Sequence, residues 1–221
     1  MKSKYFMKMP DQSNELILKK VCFQYEKRVI LSELSASFKK SEITGIFGAN
    51  GSGKTTLLKG LSNQILPCSG SIDKADFAIS FVPDYFFIWG KLKISELTKF
   101  FKSESCSEEW LKFLERYLNT QEFENHFFEN LSFGQKKRVQ IFFCLINKPD
   151  FILLDEPMSG LDPLQRETIL TFFKFLKKEI GIILTSHEFI TVKDTLDKIV
   201  TIKSKKLYEL NQKPLDILRE I

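Results

Sequence analysis

The stretch of residues 48–56 constrains this chain more than any other. It reads Gly-Ala-Asn-Gly-Ser-Gly-Lys-Thr-Thr, follows an apolar run at residues 43–47 and precedes a helix predicted over residues 55–61. A glycine-rich loop between a strand and a helix is typical of a phosphate-binding loop, because glycines let successive backbone N–H groups turn toward one anion. The N-terminus of the following helix adds positive charge. The stretch therefore predicts a nucleotide site in an α/β fold.

Each position of this loop has a predicted part in binding. Lys54 supplies a positive charge for the outer phosphates, and the Thr55 hydroxyl is a predicted Mg²⁺ ligand. The residues predicted to contact the nucleotide are Gly48, Ala49, Asn50, Gly51, Ser52, Gly53, Lys54, Thr55 and Thr56. The alternative is a glycine-rich turn that happens to precede a lysine. At ordinary glycine usage, the four specified positions coincide by chance in roughly one chain in a hundred of this length.

Length, charge and cysteine usage limit the remaining possibilities. A chain of 221 residues is long enough for one substantial core, with a net charge of +5 that favours a solvated surface over a nucleic-acid partner. The four cysteines form no C-x-x-C pair, which indicates a reduced, cytoplasmic protein without a metal cluster. The longest apolar run is too short to cross a bilayer, so any membrane role is expected to act through a partner.

Acidic and histidine residues follow two predicted buried strands. Four apolar residues, 151–154, lead into Asp155 and Glu156, and a second apolar run at 181–185 leads to His187. Parallel α/β sheets place their ligands at the carboxyl ends of the strands, so one carboxylate can bind Mg²⁺ and the other can orient a water molecule. The alternative is a strand that runs into an acidic loop, and the phosphate-binding loop upstream favours the functional interpretation.

Several other residues have two readings. We predict strands at residues 16–23 and 29–38 after a loose arm of residues 1–14, and Tyr25 between them can either stack on adenine or serve as an ordinary strand tyrosine. The aromatic stretch of residues 85–89 is either a core-facing loop or a docking surface. His126 lies among phenylalanines, and we interpret it as a packing residue.

The middle of the chain reads as helices. Residues 93–101 and 107–118 are predicted helices, the second capped by Ser107. Ser132 is a natural N-cap for a helix that continues through residue 146, and Gly134 leaves its backbone open, which makes a second anion site plausible. Asp162 and the proline after it start a further helix.

Taken together, these residues resemble the nucleotide-binding subunit of an ABC transporter, from about residue 16 to at least residue 206. Residues 48–55 resemble the Walker A motif, 131–135 the ABC signature, 152–156 the Walker B motif with its catalytic glutamate, 159–162 the D-loop, and His187 the switch histidine. The resemblance implies a P-loop NTPase with a mostly parallel core sheet, an N-terminal antiparallel β-subdomain and an inserted helical subdomain. It implies one domain over residues 1–221, with the helical subdomain at about 84–147 and a C-terminal tail at about 207–221.

The resemblance also implies a function. Two ATP molecules would lie in a head-to-tail dimer, formed either by two copies or with a second ABC ATPase, and its closure would power a separate membrane-spanning permease at the inner face of the cell membrane. In each site Glu156 would polarise the attacking water and His187 would hold the γ-phosphate, with Lys54 beside them. Ser132, Gly134, Gln135 and Asp162 would complete the nucleotide contacts together with Tyr25. The absence of a long segment after residue 206 favours an exporter.

Two rival functions and two departures from the family pattern accompany this hypothesis. The rivals are a soluble ABC ATPase of an assembly or repair complex, and a binding module that uses ATP without hydrolysing it. Phe133 stands where the signature usually has glycine, and we expect function to survive because Gly134 is the residue that approaches the phosphate. Asp84 stands at the position of the Q-loop glutamine, where a carboxylate can still bind Mg²⁺ but is one methylene shorter and adds a negative charge.

Overall fold

The computed structural model of the protein describes residues 14–85 and 91–210. Within these ranges the strands are β1 Glu15–Tyr25, β2 Arg28–Lys39, β3 Ile43–Phe47, β4 Ser69–Asp73, β5 Ile79–Val82, β6 Phe151–Leu154, β7 Gly181–Thr185, β8 Lys198–Lys203 and β9 Lys206–Glu209. The α-helices are α1 Lys54–Leu61, α2 Ile94–Phe101, α3 Glu108–Leu118, α4 Phe133–Leu145, α5 Pro163–Leu176 and α6 Phe189–Val192. Short 3₁₀ helices lie at Thr120–Phe123, Phe128–Asn130 and Lys193–Thr195.

The larger sheet has the strand order β5-β6-β7-β3-β8-β9. Its first five strands pair in parallel, and β9 pairs with β8 in antiparallel fashion. Every residue of β3, β6 and β7 is buried, which explains why each of these strands reads as a continuous apolar run in the sequence. The prediction of a mostly parallel core sheet is confirmed.

The central strands of this sheet contribute side chains to two hydrophobic cores. Because successive side chains of a strand point to opposite faces, Ile152 and Leu154 of β6 join the core shared with the helices α3, α4 and α5, whereas Phe151 and Leu153 join the core under the smaller sheet and α1. The same alternation occurs along β7, where Ile183 faces the second core. Each central strand therefore stabilises both halves of the molecule.

The smaller sheet has the order β2-β1-β4, and both of its strand pairs are antiparallel. This confirms the predicted N-terminal antiparallel subdomain. Strand β4 was not predicted from the sequence, because most of its residues are polar and exposed. Strands β8 and β9 were also not predicted, and β9 extends the large sheet through Glu209.

Helices α2, α3 and α4 lie in the sequence between β5 and β6. Ser107 caps α3 as predicted, since its hydroxyl accepts from the N–H of Trp110 at 3.1 Å. The Trp110 indole Nε1 donates to the carbonyl of Leu145 at 2.8 Å and so joins α3 to the end of α4. The interpretation of His126 as a packing residue was wrong, because it is exposed in the short segment between the 3₁₀ helices Thr120–Phe123 and Phe128–Asn130.

Three sequence predictions fall wholly or mostly outside the residues described. They are the loose arm of residues 1–14, the C-terminal tail at about 207–221 and the aromatic stretch at 85–89, of which only Tyr85 is described and is exposed. Residues 207–209 of the predicted tail belong to β9. Across residues 14–85 and 91–210, no helix has the length and apolar character needed to cross a membrane.

Candidate functional site

The loop between β3 and α1 has a backbone that glycine alone fits at two positions. Gly48 has φ 151° and Gly53 has φ 107°, both in the region that L side chains rarely adopt. A Cβ on Gly48 would lie 2.8 Å from the carbonyl oxygen of Ile202, and one on Gly53 would lie 2.8 Å from the Leu31 side chain. The loop is thus held closely against β8 and β2, with its tip at residues 49–51 exposed.

Lys54, the first residue of α1, turns its ammonium group back into the loop. The Nζ atom donates to the carbonyl of Gly48 at 2.8 Å and to that of Ala49 at 3.4 Å, and it lies 4.0 Å from Glu156 Oε1. The side chain is 8% exposed. Nearby, the Ser52 hydroxyl is buried and has no hydrogen-bond partner among residues 14–85 and 91–210. A buried lysine and an unpartnered hydroxyl in a glycine-lined loop fit a phosphate group.

Asp155 follows β6 and is held by two threonines. Thr55 Oγ1 donates to Asp155 Oδ2 at 2.6 Å, and Thr185 Oγ1 donates to Oδ1 at 2.7 Å. The Thr185 oxygen also accepts from the backbone N–H of Glu156 at 2.9 Å. Thr185 is fully buried at the end of β7 and was not singled out from the sequence. It fixes the carboxylate of Asp155 and the backbone of Glu156 with one hydroxyl.

Glu156 and His187 meet at the same edge of the sheet. The backbone of Glu156 has φ 46°, which is uncommon for a residue with a side chain and is found where surrounding contacts impose it. His187 Nδ1 donates to Glu156 Oε2 at 2.8 Å, and the backbone N–H of His187 lies 3.3 Å from the same oxygen. The two carboxylate oxygens thus face different partners, Lys54 on one side and His187 on the other.

Arg166 connects the loops that follow β6 and β7. Its Nε donates to the carbonyl of Leu161 at 2.9 Å, and its Nη1 pairs with Glu188 Oε2 at 2.5 Å. A hydrogen bond from Thr191 and then the bond from Arg166 lower the pKa of Glu188 below its usual range. The other oxygen of Glu188 lies 3.8 Å from His187 Nε2. Neither Arg166 nor Glu188 was predicted to be part of the site.

Asp84 lies beyond β5 and faces a lysine of α4. Its Oδ1 is 3.7 Å from Lys137 Nζ, and that ammonium also donates to the Asp84 carbonyl at 3.4 Å. Burial lowers the pKa of Lys137, and the negative charges of Asp84, Asp155 and Glu156 act in the opposite direction. Lys137 was not predicted as a site residue.

The N-terminus of α4 forms a separate group. Ser132 and Gln135 make a capping box, in which Gln135 Oε1 accepts from the Ser132 N–H at 2.8 Å and the Ser132 hydroxyl accepts from the Gln135 N–H at 3.4 Å. Ser132 is exposed, whereas Gly134 is buried beneath the side chain of Gln165. The Phe133 ring packs on the loop after β6, where a Cβ on Gly160 would lie 2.7 Å from it.

The structure brings only part of the predicted set together. Lys54, Thr55, Asp155, Glu156 and His187 form one connected group through the contacts given above. No hydrogen bond or ion pair within 14–85 and 91–210 joins that group to Tyr25, Ser132, Gly134, Gln135 or Asp162. Tyr25 is partly exposed at the end of β1. Asp162 caps α5 by accepting from the N–H of Gln165 at 2.9 Å.

The connected group suits a nucleotide with Mg²⁺. The Thr55 hydroxyl and the Asp155 carboxylate are the hard oxygen ligands that Mg²⁺ prefers, and this ion usually takes its remaining ligands from phosphates and water. Among residues 14–85 and 91–210, no group of three or more His, Cys, Asp or Glu side chains could hold a metal ion by itself.

Comparison with known protein families gives a match over residues 31–159, to the family described as ABC transporter. The chain is 29% identical over 202 residues to "Uncharacterized ABC transporter ATP-binding protein YcbN" of Bacillus subtilis, which covers 84% of this chain and 65% of that protein. It is 30% identical over 227 residues to "Spermidine/putrescine import ATP-binding protein PotA" of Mycoplasma capricolum, covering 95% and 64% of the two chains. The chain therefore spans somewhat less than two thirds of the length of these two curated relatives.

The fold is also found among solved structures. A chain described as "Structure of ATP binding subunit of ABC transporter" superimposes with a TM-score of 0.81 at 23% identity. The superposition covers 93% of this chain and 92% of the other. At this identity the likeness concerns the fold, and it confirms the predicted α/β architecture.

Proposed function

Because this chain belongs to the ABC transporter family of ATP-binding proteins, we propose that it hydrolyses ATP and powers a membrane transporter through ATP-driven closure of a dimer. ATPase domains of this family bind ATP in general. The observation that carries the proposal is the hydrogen-bonded series from Thr55 through Asp155 and Thr185 to Glu156 and His187. It joins the phosphate-binding loop to the residues suited to hydrolysis.

The ligands of the nucleotide are assigned by position and chemistry. The N–H groups of the loop at 48–56, the Lys54 ammonium and the Ser52 hydroxyl would hold the phosphates. Thr55 and Asp155 would hold Mg²⁺, which when bound neutralises charge on the phosphates. Asp84 is a weaker candidate for this task, since its carboxylate already faces Lys137.

Hydrolysis of the terminal phosphate depends mostly on position and charge. Glu156, held by Thr185 and His187, would accept a proton from the attacking water as general base. Glu156 Oε1 lies 4.0 Å from Lys54 Nζ, so the general base and the cation of the phosphate-binding loop stand side by side. His187 would orient Glu156 and contact the γ-phosphate.

The second half of each site would come from another ATP-binding subunit. Ser132 is exposed at the start of α4, where the helix N-terminus can approach an anion. We propose that it contacts the γ-phosphate held by a partner, either a second copy or another ABC ATPase, together with Gln135 and Asp162. Gly134 lies under Gln165, so this side chain would have to move for the Gly134 backbone to contact the phosphate.

We further propose that the chain is peripheral to a membrane, at the inner face, and docks on a separate permease. Among the relatives, PotA is named as an import protein, and the proposal includes no direction of transport. The helical part, at about 84–147, is proposed to receive the permease.

The substitution Glu156→Gln tests the proposed function. We expect ATP binding to persist, phosphate release to fall on the order of 100-fold or more, and an ATP-bound dimer to accumulate in size-exclusion chromatography. The matched control is Glu167→Gln, an exposed carboxylate on α5, which should leave turnover unchanged. Near-normal phosphate release by Glu156→Gln would remove Glu156 from the catalytic role.

A further inference from the structure

Lys137 is the most deeply buried charged side chain among the residues described. It is 1% exposed, compared with 5% for Asp155 and 8% for Lys54. An ammonium group taken out of water costs several kcal/mol unless an anion or hydrogen bonds compensate for the lost hydration. A lysine at such a place in the second turn of α4 therefore requires a partner.

Asp84 is that partner, and the pairing is uneven. The ammonium of Lys137 contacts the Asp84 carboxylate at 3.7 Å and the Asp84 carbonyl at 3.4 Å. The side chain of Asp84 is 47% exposed, so this carboxylate keeps much of its hydration without Lys137. Lys137, in contrast, has no other contact that could replace Asp84 within residues 14–85 and 91–210. The lysine depends on the aspartate more than the aspartate depends on the lysine.

The pair lies next to the nucleotide site. The backbone N–H of Asp155 donates to the carbonyl of Val82 at 2.9 Å, which brings Asp84 and the residues after β6 to the same edge of the sheet. The charges of Asp155 and Glu156 also act on Lys137. Lys54 supplies positive charge from the phosphate-binding loop, and Lys137 supplies it from the helical side. Without Lys137, Asp84 would add an uncompensated negative charge to a site that must accept a polyanion.

We propose that Lys137 is a positioning residue of the nucleotide site, whose buried ammonium group neutralises Asp84 and holds that carboxylate on the α4 side, away from the phosphates. This inference rests on the proposed function, since it concerns the same site. It assigns a role to the carboxylate at position 84 that is different from metal binding.

Nucleotide affinity in the absence of metal tests the charge role directly. The probe is the fluorescent N-methylanthraniloyl ATP, titrated into the purified protein with EDTA present. Lys137→Met keeps the volume of the side chain and leaves Asp84 uncompensated. We expect the affinity to fall roughly ten-fold, because the uncompensated carboxylate repels the phosphates in a site where water screens charges less than in bulk. In Lys137→Met/Asp84→Asn, which is neutral at both positions, the affinity should return to the wild-type value.

The matched control is Lys136→Met, one residue earlier on α4. The Lys136 ammonium lies over the Phe128 ring at 5.9 Å and outside the pair. The control loses the same net charge, so unchanged affinity in Lys136→Met shows that the effect of Lys137→Met is local. Equal weakening in the two variants would overturn the inference.

Thermal unfolding without nucleotide tests the pairing itself. Asp84→Asn leaves Lys137 buried without its anion, so we expect a clear fall in the unfolding midpoint. Lys137→Met leaves only a half-exposed carboxylate without a partner and should shift the midpoint little. Adding Lys137→Met to Asp84→Asn should restore most of the loss.

The outcomes separate this inference from the proposed function. If the wild-type protein does not bind the ATP probe with or without Mg²⁺, the proposed function fails and the inference fails with it. If the wild type binds and Lys137→Met binds equally well in EDTA, only the inference is overturned. A change in the unfolding midpoint without a change in affinity would mean that the pair is purely structural, which also contradicts the inference.

Discussion

Thr185 shows how one hydroxyl group can organise a site. Its oxygen donates to the carboxylate of Asp155 and accepts from the backbone N–H of Glu156. The residue therefore acts on two proposed functional groups without being expected to touch the substrate. Residues that orient metal ligands in this way typically contribute 10- to 100-fold to metal affinity or activity when removed.

We expect Thr185→Val to lower ATP turnover by about 10- to 100-fold. Valine has nearly the same shape and suits a buried strand, but it can make neither hydrogen bond. The measurement is phosphate release at several Mg²⁺ concentrations, because a loosened Asp155 should raise the concentration of Mg²⁺ required for half-maximal activity. Thr120→Val, a buried threonine beyond α3, is the control, and an equal loss in both variants would contradict a specific role for Thr185.

The residues of the site differ in how well the sequence predicts them. Spacing and composition were enough to predict that Lys54, Thr55, Asp155, Glu156 and His187 meet at one edge of the sheet, because glycine-rich turns and the ends of apolar strands can be recognised in the local sequence. Their roles in nucleotide binding and hydrolysis stay predictions. Thr185, Arg166 and Lys137 could not be predicted in this way. A threonine in a strand is ordinary, and the partners of Arg166 and Lys137 are distant in the sequence. The only available signal for Thr185 was its place two residues before His187.

Asp162, the N-cap residue before helix α5, has two predicted roles. Asp162 is a predicted nucleotide contact and also the N-cap of α5, where its carboxylate accepts from the N–H of Gln165 at 2.9 Å. Pro163 follows at the first helical position, where its missing N–H is not needed. The structure contains the capping hydrogen bond, whereas the contact with nucleotide is a proposal.

Asp162→Ala should lower the free energy of unfolding by about 1 kcal/mol, because one N–H of the first turn loses its acceptor. Asp162→Asn keeps an acceptor at the cap and should change the stability little. Urea denaturation followed by circular dichroism measures both. Equal stability of the alanine variant and the wild type would show that the cap is dispensable.

The two substitutions also separate the two tasks. If Asp162→Asn retains the wild-type stability but loses turnover, the charge of Asp162 is needed for function as well as for capping. If it retains both, the capping task accounts for the residue. Phosphate release by the asparagine variant decides between these readings.

Elements with a hydrophobic pattern could be predicted, and those without one could not. The central strands and the helices α3 and α4 have apolar runs or caps that show in the sequence. Strand β4 has four exposed residues of five, and besides the backbone pairing to β1 it has the Lys19–Asp73 ion pair and the partly buried Ile72. Strand β4 is an edge strand of the smaller sheet, and β9 is an edge strand of the large sheet with similarly exposed side chains. Edge strands of this kind carry little burial and hence little pattern.

At the scale of the whole molecule, the reactivity of the cysteine thiols can be used to follow unfolding of the two halves. Burial raises the pKa of Cys144 to about 12. At pH 9 only on the order of one in a thousand of these groups is then the reactive thiolate. Burial, followed by the neighbouring Cys68, also raises the pKa of Cys22 on β1. At this pH Cys144 should therefore react very slowly in the folded protein, and the half-buried Cys22 more slowly than in the unfolded chain, whereas Cys68 is exposed.

We expect Cys144 and Cys22 to become reactive at the same urea concentration. Brief alkylation at pH 9 across a urea series, with each modified peptide quantified by mass spectrometry, measures the two midpoints separately. Cys68 serves as the internal control, since it should be modified without urea. Midpoints that differ clearly between Cys144 and Cys22 would mean that the two parts of the molecule open independently.

The alternation of side chains along β6 and β7 gives the reason for a shared midpoint. Neither core can be dismantled while the other persists, because the same short strands line both, and a strand that loses its neighbours on one face loses its register for the other. The cooperativity of unfolding in this molecule thus depends on the central strands that its two cores share. A destabilising substitution in the helical part should therefore lower the stability of the N-terminal sheet as much as that of the helices themselves. This is expected although the two lie on opposite sides of the large sheet.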